Sequence, residues 1–147
     1  LMYVTDTFAP KDKMTLQIGY ANGGEECFNL PSSHPDYGNQ IAAYYFWIFP
    51  NMMFNFYPWG VSINIVKPIS INKTKVSFLT YIYDEEKFDG NAALIDKVER
   101  EDEFVVEGVT KGMQSSFYNT GRFSTTRETG VHYFHHLLSQ FINLNNY

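Results

Sequence analysis

The chain has 147 residues, of which 44% are hydrophobic and 18% aromatic, and its formal net charge is −5. This length suits one globular domain with a single core. An acidic balance without a Lys/Arg cluster argues against a nucleic-acid partner, and no apolar run reaches the ~20 residues needed to span a membrane. The only cysteine, Cys27, allows no intrachain disulfide, which fits a reducing cytoplasm.

Runs of β-branched and aromatic residues in the first half of the chain predict strands. The stretch from Ala21 to Gln40 is rich in Gly, Pro, Ser, Asn and Asp, and predicts a long loop. Short links, namely Pro50-Asn51, Pro58-Trp59-Gly60 and Pro68 to Lys73, make the later strands antiparallel neighbours. The predicted strands are Met14 to Tyr20, Ala42 to Phe49, Met52 to Tyr57, Val61 to Val66 and Val76 to Tyr83.

Helical periodicity replaces the strand pattern near Gly90 and predicts a long helix from about Asn91 to Gln114, with Asp89 as its N-cap. A second helix is predicted from Gly130 to Ile142. Its apolar face is formed by Val131, Phe134, Leu138 and Phe141. The predicted fold class is α+β, a curved antiparallel sheet with the long helix lying across it and a ligand cavity between them.

One carboxylate of the long helix shares the direction of its apolar stripe. Leu94, Val98, Val105 and Val109 form that stripe, and Asp102 lies about 30° from its middle. A buried carboxylate needs a cation, a metal or a proton, because leaving it unpaired costs several kcal/mol. Asp102 is therefore a candidate metal ligand, and the alternative is an ion pair or hydrogen bond with an Arg or Tyr at the edge of the core.

Three segments, in this order, resemble Rieske-type non-haem iron oxygenases. They are Phe49 to Gly60 (FPNMMFNFYPWG), Glu101-Asp102 followed by Gly112, and Gly130 to His135 (GVHYFH). The resemblance covers about Ile41 to Ile142 and is to the C-terminal part of the catalytic domain of the alpha subunit, in the choline and carnitine monooxygenase-like branch. It implies a helix-grip, START-like fold.

The resemblance implies a function for Asp102. In that family a long helix after the sheet supplies the carboxylate of a two-His-one-carboxylate Fe(II) site, so Asp102 is the expected ligand and Glu101 the fallback. The implied reaction is oxygen insertion into a small organic substrate, by mono- or dioxygenation, with aromatic compounds among the family's substrates. The implied partners are a ferredoxin or reductase as electron donor and further copies of the chain, in a dimer or trimer.

The chain also departs from the family pattern. The family's [2Fe-2S] cluster needs two Cys and two His in an N-terminal Rieske domain, and the two iron-binding histidines precede the sheet; before Ile41 only His34 occurs. We therefore expect residues 1–147 to be one domain, an incomplete catalytic domain that lacks the Rieske domain and is inactive by itself. The alternative function is a helix-grip module that binds an apolar ligand without chemistry.

The remaining candidate residues have structural alternatives. His132 and His136 are four residues apart on a predicted helix, a spacing able to chelate a metal, with His135 on a neighbouring face. Cys27 is an unconvincing nucleophile because acidic neighbours raise a thiol pKa. Asn55, Asn64 and Thr80 either line a pocket or face solvent, because the sequence does not fix the strand register.

Overall fold

The computed structural model describes residues 4–8, 13–88 and 92–144. Six antiparallel strands form one sheet in chain order, and two helices follow. The α+β prediction is confirmed, and the bulge between Gly19 and Tyr20 is consistent with a curved sheet. The strands are β1 (Val4–Phe8), β2 (Met14–Tyr20), β3 (Ile41–Ile48), β4 (Met52–Tyr57), β5 (Gly60–Ser70) and β6 (Lys73–Ile82), and the helices are α1 (Ala92–Met113) and α2 (Thr129–Leu144).

The predicted boundaries are confirmed for most elements. β2 and β4 have the predicted limits, β3 differs by one residue, and both helices differ by at most two residues at either end. Aromatic and β-branched residues favour these strands, and short links of three residues (Phe49, Pro50 and Asn51) and two residues (Pro58 and Trp59) reverse the chain between neighbours. The proposed N-cap, Asp89, lies outside the described residues.

Two strand predictions were wrong. The connection from Pro68 to Lys73 is mostly strand, because β5 continues to Ser70, β6 begins at Lys73, and only Ile71 and Asn72 form the turn. Pro68 is tolerated because β4 pairs with β5 only as far as Ile65, so Pro68 needs no donor on that side. The strand Val4–Phe8 was not predicted; it is held by pairing with β2 rather than by its own pattern.

The strand register gives β2–β6 two faces. Directly opposed residues lie on the same face, so Gln17, Tyr45, Asn55, Ser62 and Thr80 belong to one face and Ile18, Tyr44, Phe56, Val61 and Tyr81 to the other. We call these the polar face and the apolar face.

The structure divides into two compact units, Leu1–Lys87 with Phe123–Tyr147, and Phe88–Arg122. In the first unit, α2 packs on the end of the sheet through ring contacts of Phe134 with Trp47 and of Phe141 with Phe49, at centroid distances of 4.7 and 5.7 Å. Its buried residue is Leu137, whereas the predicted Leu138 and Val131 are exposed. The sequence offers apolar side chains at both 137 and 138, so periodicity alone did not select between them.

The second unit contains α1 and the turn after it. The helix ends at Met113, one residue before the predicted end at about Gln114. Val105 and Val109 of its apolar stripe are 59% and 55% exposed. The predicted packing of this stripe on the sheet stays a prediction.

Candidate functional site

A row of polar side chains crosses the polar face of the sheet. Gln17 lies opposite Tyr45, Tyr45 opposite Asn55, Asn55 opposite Ser62, and Ser62 opposite Thr80. These five residues, one from each of five neighbouring strands, form what we call the polar row. Their alignment follows from the short, tight connections that set the register of each hairpin.

The inner part of this face carries the buried polar side chains found among residues 13–88 and 100–144. Ser62 and Asn64 are 4% and 5% exposed, and the Ser62 hydroxyl donates to Asn64 Oδ1 at 3.2 Å. Both lie on β5 between two other strands, and the longer side chains Met53 and Phe78 lie directly opposite Asn64. Short polar groups on this face are therefore shielded by their cross-strand neighbours while their hydrogen bonds are kept within the face.

Burial alternates along the start of β5. Val61, Ile63 and Ile65 are half-buried, whereas the Ser62 and Asn64 side is buried. The register thus assigns Asn64 to the interior of the polar face, Asn55 to a half-buried position and Thr80 to an exposed position, which sequence reasoning had left open.

Aromatic rings flank the polar row. Tyr45 meets Tyr57 edge to face at a centroid distance of 6.0 Å, and Tyr57 stacks on Trp59 at 4.9 Å with an interplanar angle of 3°. Trp59 lies in the turn between β4 and β5, where the sequence predicted a short link. Gly60 is required in this turn because a Cβ on it would overlap the Tyr81 carbonyl oxygen.

The strands that carry the centre of this face have no formal charge. The sequences of β2, β3 and β4 contain no Asp, Glu, Lys or Arg. Hydroxyl and amide groups set among ring faces can bind a ligand by hydrogen bonds and by cation–π attraction, without an ion pair. The polar face is therefore a candidate site for a small neutral or cationic organic molecule.

The apolar face carries an open groove of about 380 Å³ lined by Phe46, Ile48, Phe54 and Phe56. The rings of Phe46 and Phe56 meet edge to face at 5.8 Å. The groove contains no polar lining residue and offers no group for chemistry.

A loop closes one end of the apolar face. Tyr44 Oη donates to Asp36 Oδ2 at 2.8 Å, and the Phe28 ring packs on the Tyr44 ring at 5.5 Å. The Asp36 amide donates to His34 Nδ1 at 3.1 Å. Burial and the bond to Asp36 raise the pKa of the Tyr44 phenol above its ordinary value. These contacts fasten the predicted loop, Ala21 to Gln40, to β3, and nothing in the sequence pattern indicated the Tyr44–Asp36 pair.

Asp102 lies in the middle of α1, where its side chain is exposed, as is that of Glu101. Within residues 13–88 and 100–144, Asp102 makes no hydrogen bond or ion pair, so the Arg or Tyr partner of the alternative interpretation is not found there. Its assignment as a metal ligand stays a prediction.

The histidines of α2 contact aromatic rings. Phe123 packs edge to face against His132 and His135, with centroids 5.3 and 5.2 Å apart, and His136 stacks near Tyr133 at 6.5 Å. His132 and His136, the predicted chelating pair, therefore contact different neighbours. Among residues 13–88 and 100–144, no group of three or more His, Cys, Asp or Glu side chains is arranged to hold a metal ion.

Cys27 has the environment of an unreactive thiol. Burial, followed by the charges of Glu25 and Glu26, raises its pKa. The predicted effect of the acidic neighbours is confirmed in direction, although burial is the larger cause.

Comparison with known sequences decides the family. Residues 5–143 match the family described as "Ring hydroxylating alpha subunit (catalytic domain)". The chain belongs to this family. The resemblance stated from the sequence is confirmed, and it extends further toward the N-terminus than Ile41.

The chain is similar to choline monooxygenases and to carnitine monooxygenase oxygenase subunits. The chain is 32% identical to choline monooxygenase of Spinacia oleracea over 68% of this chain and 24% of that protein, and 35% identical to that of Arabidopsis thaliana over 69% and 25%. It is 31% identical to the carnitine monooxygenase oxygenase subunit of Escherichia coli K12 over 86% and 36%. The chain thus spans about a quarter to a third of the length of these relatives. No solved structure matches it.

The second unit offers the carboxylates Asp102 and Glu101, and the two-His-one-carboxylate centre that the family implies needs two imidazoles as well. No helix among the described residues is long and apolar enough to cross a membrane.

Proposed function

We propose that this chain forms the substrate-facing sheet and the carboxylate arm of an oxygenase that inserts oxygen into a small organic substrate. The observation that carries the proposal is the polar row, an uncharged and half-buried strip on one face of a sheet that belongs to the ring-hydroxylating alpha-subunit family. Its residues bind and orient the substrate, and ligands of this size are held by a few convergent polar groups among apolar ones.

The proposed substrate class is an organic amine cation of the choline or carnitine type. Ring faces of Tyr45, Tyr57 and Trp59 attract a cation through their π systems. Asn55 and Ser62 supply amide and hydroxyl groups for a hydroxyl or carboxylate elsewhere in the ligand. Relatives named for choline and carnitine support this class over an aromatic hydrocarbon.

The proposed role of Asp102 is to supply the carboxylate of the iron centre. Two histidines must come from elsewhere in the native protein, so we propose that the chain alone does not turn over. In the full-length product of the native gene, Asp102→Ala abolishes tight Fe(II) binding, measured by calorimetry under anaerobic conditions. Glu101→Ala is the matched control and retains it; the reverse result makes Glu101 the ligand.

The substrate proposal is tested by NMR titration of the ¹⁵N-labelled chain with choline and with its neutral carbon isostere, 3,3-dimethyl-1-butanol. Choline is expected to shift the amides of β3–β5 around Asn55 and Ser62, and the isostere, which has the same shape without the charge, to bind at least about tenfold more weakly. Equal shifts from both compounds would show that the positive charge of the ligand does not contribute to binding. Shifts confined to Phe46 and Phe56 would place the ligand on the apolar face.

The second candidate function is a binding module without chemistry. The uncharged polar face favours it as much as it favours an oxygenase, since neither Asp102 nor any other carboxylate is needed to hold the ligand there. The two functions separate in one measurement on the full-length product. Substrate-dependent oxygen consumption with Fe(II) supports the oxygenase, whereas ligand binding with oxygen consumption at background supports the module.

A further inference from the structure

The loop between β2 and β3 begins with an asparagine that is followed directly by glycine. Asn22 and Gly23 are the only Asn-Gly pair in the sequence. In such a pair the backbone nitrogen of the glycine can attack the carboxamide carbon of the asparagine and close a succinimide ring. Glycine has no side chain to shield that nitrogen, so the pair has a reactivity that asparagine before a larger residue lacks.

The backbone nitrogen of Gly23 has room to move. Gly23 and Gly24 have φ angles of 98° and 96°, in the left-handed region that glycine adopts without a steric penalty. A Cβ built on either residue would meet no atom within 4 Å. Among the residues that the structure describes, the Gly23 amide donates no hydrogen bond. The nitrogen is therefore not held away from its neighbour by packing or by a bond.

The carboxamide of Asn22 makes no hydrogen bond within residues 4–8, 13–88 and 92–144. The bond that Asn22 does make there is from its backbone amide to Glu25 Oε2, at 3.0 Å, and its side chain is exposed. Asparagines of the sheet differ: Asn64 Oδ1 accepts from Ser62, and Asn51 Nδ2 donates to a backbone carbonyl at 2.8 Å. The electrophile and the nucleophile of the ring closure are thus both available at this one turn.

We propose that Asn22 is a self-modification site, deamidated by the Gly23 amide with water as the co-reactant. The Gly23 nitrogen bonds to the Asn22 carboxamide carbon, the bond from that carbon to Nδ2 breaks, and Nδ2 leaves as ammonia with the proton that Gly23 gives up. Water then opens the succinimide at one of its two carbonyls. The product is aspartate or isoaspartate at position 22, and no group is oxidised or reduced.

The modification places a new negative charge beside an existing one. The carboxylate of Glu25 is bonded to the backbone amide of the modified residue, and Glu26 follows it. Carboxylates this close repel each other, and the repulsion opposes the bond that closes the turn. Deamidation therefore acts against the hydrogen bond between Asn22 and Glu25.

The base of the loop lies next to the modified residue. The Ala21 amide donates to the Gln40 carbonyl at 2.9 Å, and the Phe28 amide donates to the Ile41 carbonyl at 2.8 Å. Isoaspartate routes the backbone through an extra methylene, and this added length falls between Ala21 and Phe28. The Ala21 bond is adjacent to the change and is expected to weaken first, which loosens the attachment of the loop to β3.

Peptide mapping by mass spectrometry follows the reaction in the purified chain, incubated at neutral and at mildly alkaline pH. Asn72 and Asn119 are internal controls, because both are exposed but precede Lys73 and Thr120. Asn22 is expected to be converted at least about tenfold faster than either control, since only its neighbour lacks a side chain. Asn22→Gln is expected to abolish the isoaspartate that a carboxyl methyltransferase detects in the aged chain.

Hydrogen exchange of the aged chain measures the effect on the loop. The Ala21 amide is expected to exchange faster than in the fresh chain, and Asn22→Asp, which supplies the charge without the longer backbone, is expected to give a smaller increase. Conversion of Asn22 no faster than that of Asn72 and Asn119 would overturn the assignment of the site. Unchanged exchange at Ala21 in fully converted chain would overturn the loosening of the loop.

Discussion

The two faces of the sheet invert the usual relation between polarity and exposure. On the polar face, Ser62 and Asn64 are almost inaccessible, whereas on the apolar face Ile48 and Phe56 are 38% and 39% exposed. Buried polar groups and exposed apolar patches are the informative departures in a folded chain. Here they occur on opposite faces of one sheet, the buried polar residues on β5 and the exposed apolar residues on β3 and β4.

The comparison also separates the sheet centre from its margin. β3, β4 and β5 each pair with a strand on either side. Their register, and with it the alignment of the polar row, is therefore set by two pairings rather than one. β6 has one strand neighbour in the described residues and displays apolar side chains on both faces. The geometry of the polar row is therefore more strongly determined than that of β6.

Gly60→Ala is expected to have the largest effect, because the new Cβ collides with the Tyr81 backbone and that atom cannot move independently. Overpacking of this kind costs about 1–3 kcal/mol or more. Urea unfolding measures the loss, and Gly108→Ala is the matched control. Gly108 has no atom near the position of a Cβ and lies within α1, so alanine there is expected to stabilise by up to about 1 kcal/mol. Equal stability of the chain and its Gly60→Ala variant would mean that the β5–β6 hairpin relaxes freely.

Ser62→Ala tests whether the buried polar groups of the polar face depend on one another. The variant removes the donor to Asn64 Oδ1, and a buried acceptor left without its partner costs about 1–3 kcal/mol. Ser62→Ala with Asn64→Leu removes both groups and is expected to recover part of the loss. If the loss of unfolding free energy in the double variant equals the sum of the losses in the two single variants, the hydrogen bond contributes nothing to stability.

Tyr44→Phe tests the attachment of the loop to β3. The ring contacts remain while the bond to Asp36 is lost, which is expected to cost about 1 kcal/mol. Tyr37→Phe, in the same loop but 60% exposed, is the control and should be neutral.

The Tyr44 prediction has a definite pH dependence. The folded-state pKa of Tyr44 is raised above its ordinary 10.0. The contribution of the protonated phenol to the free energy of unfolding is therefore fully present below pH 10 and is lost as the pH rises above 10. The difference in unfolding free energy between the unaltered chain and Tyr44→Phe should therefore shrink between pH 9 and pH 11. A difference that is constant across this range would contradict the raised pKa.

Ile48→Thr is expected to have the smallest effect on stability. Ile48 lies in the groove of the apolar face, is already 38% exposed, and threonine keeps the branched shape that suits a strand. We expect a loss below about 1 kcal/mol in urea unfolding, together with weaker binding of an apolar fluorescent dye. A larger loss would mean that the apolar face is packed rather than open.

The sequence determined most of the elements, though not β1, and it determined the family. Period-two runs of aromatic and β-branched residues predicted β2 to β6, and the change of period near Gly90 predicted α1, because hydrophobic alternation is local. The family segments, carried by residues such as Trp59, Asp102 and His132, were sufficient to recognise the alpha-subunit family before any coordinates.

Only the tertiary structure decided which residues share a face of the sheet. The polar row depends on which residues lie opposite one another, and a shift of one residue in any hairpin would move Asn55 or Ser62 to the other side of the sheet. The choice of Leu137 over Leu138, the Tyr44–Asp36 bond and the strand continuing through Pro68 likewise depend on neighbours far along the chain. Local pattern fixes which residues form an element, whereas the face that becomes a site is fixed by the register and by the partners that shield it.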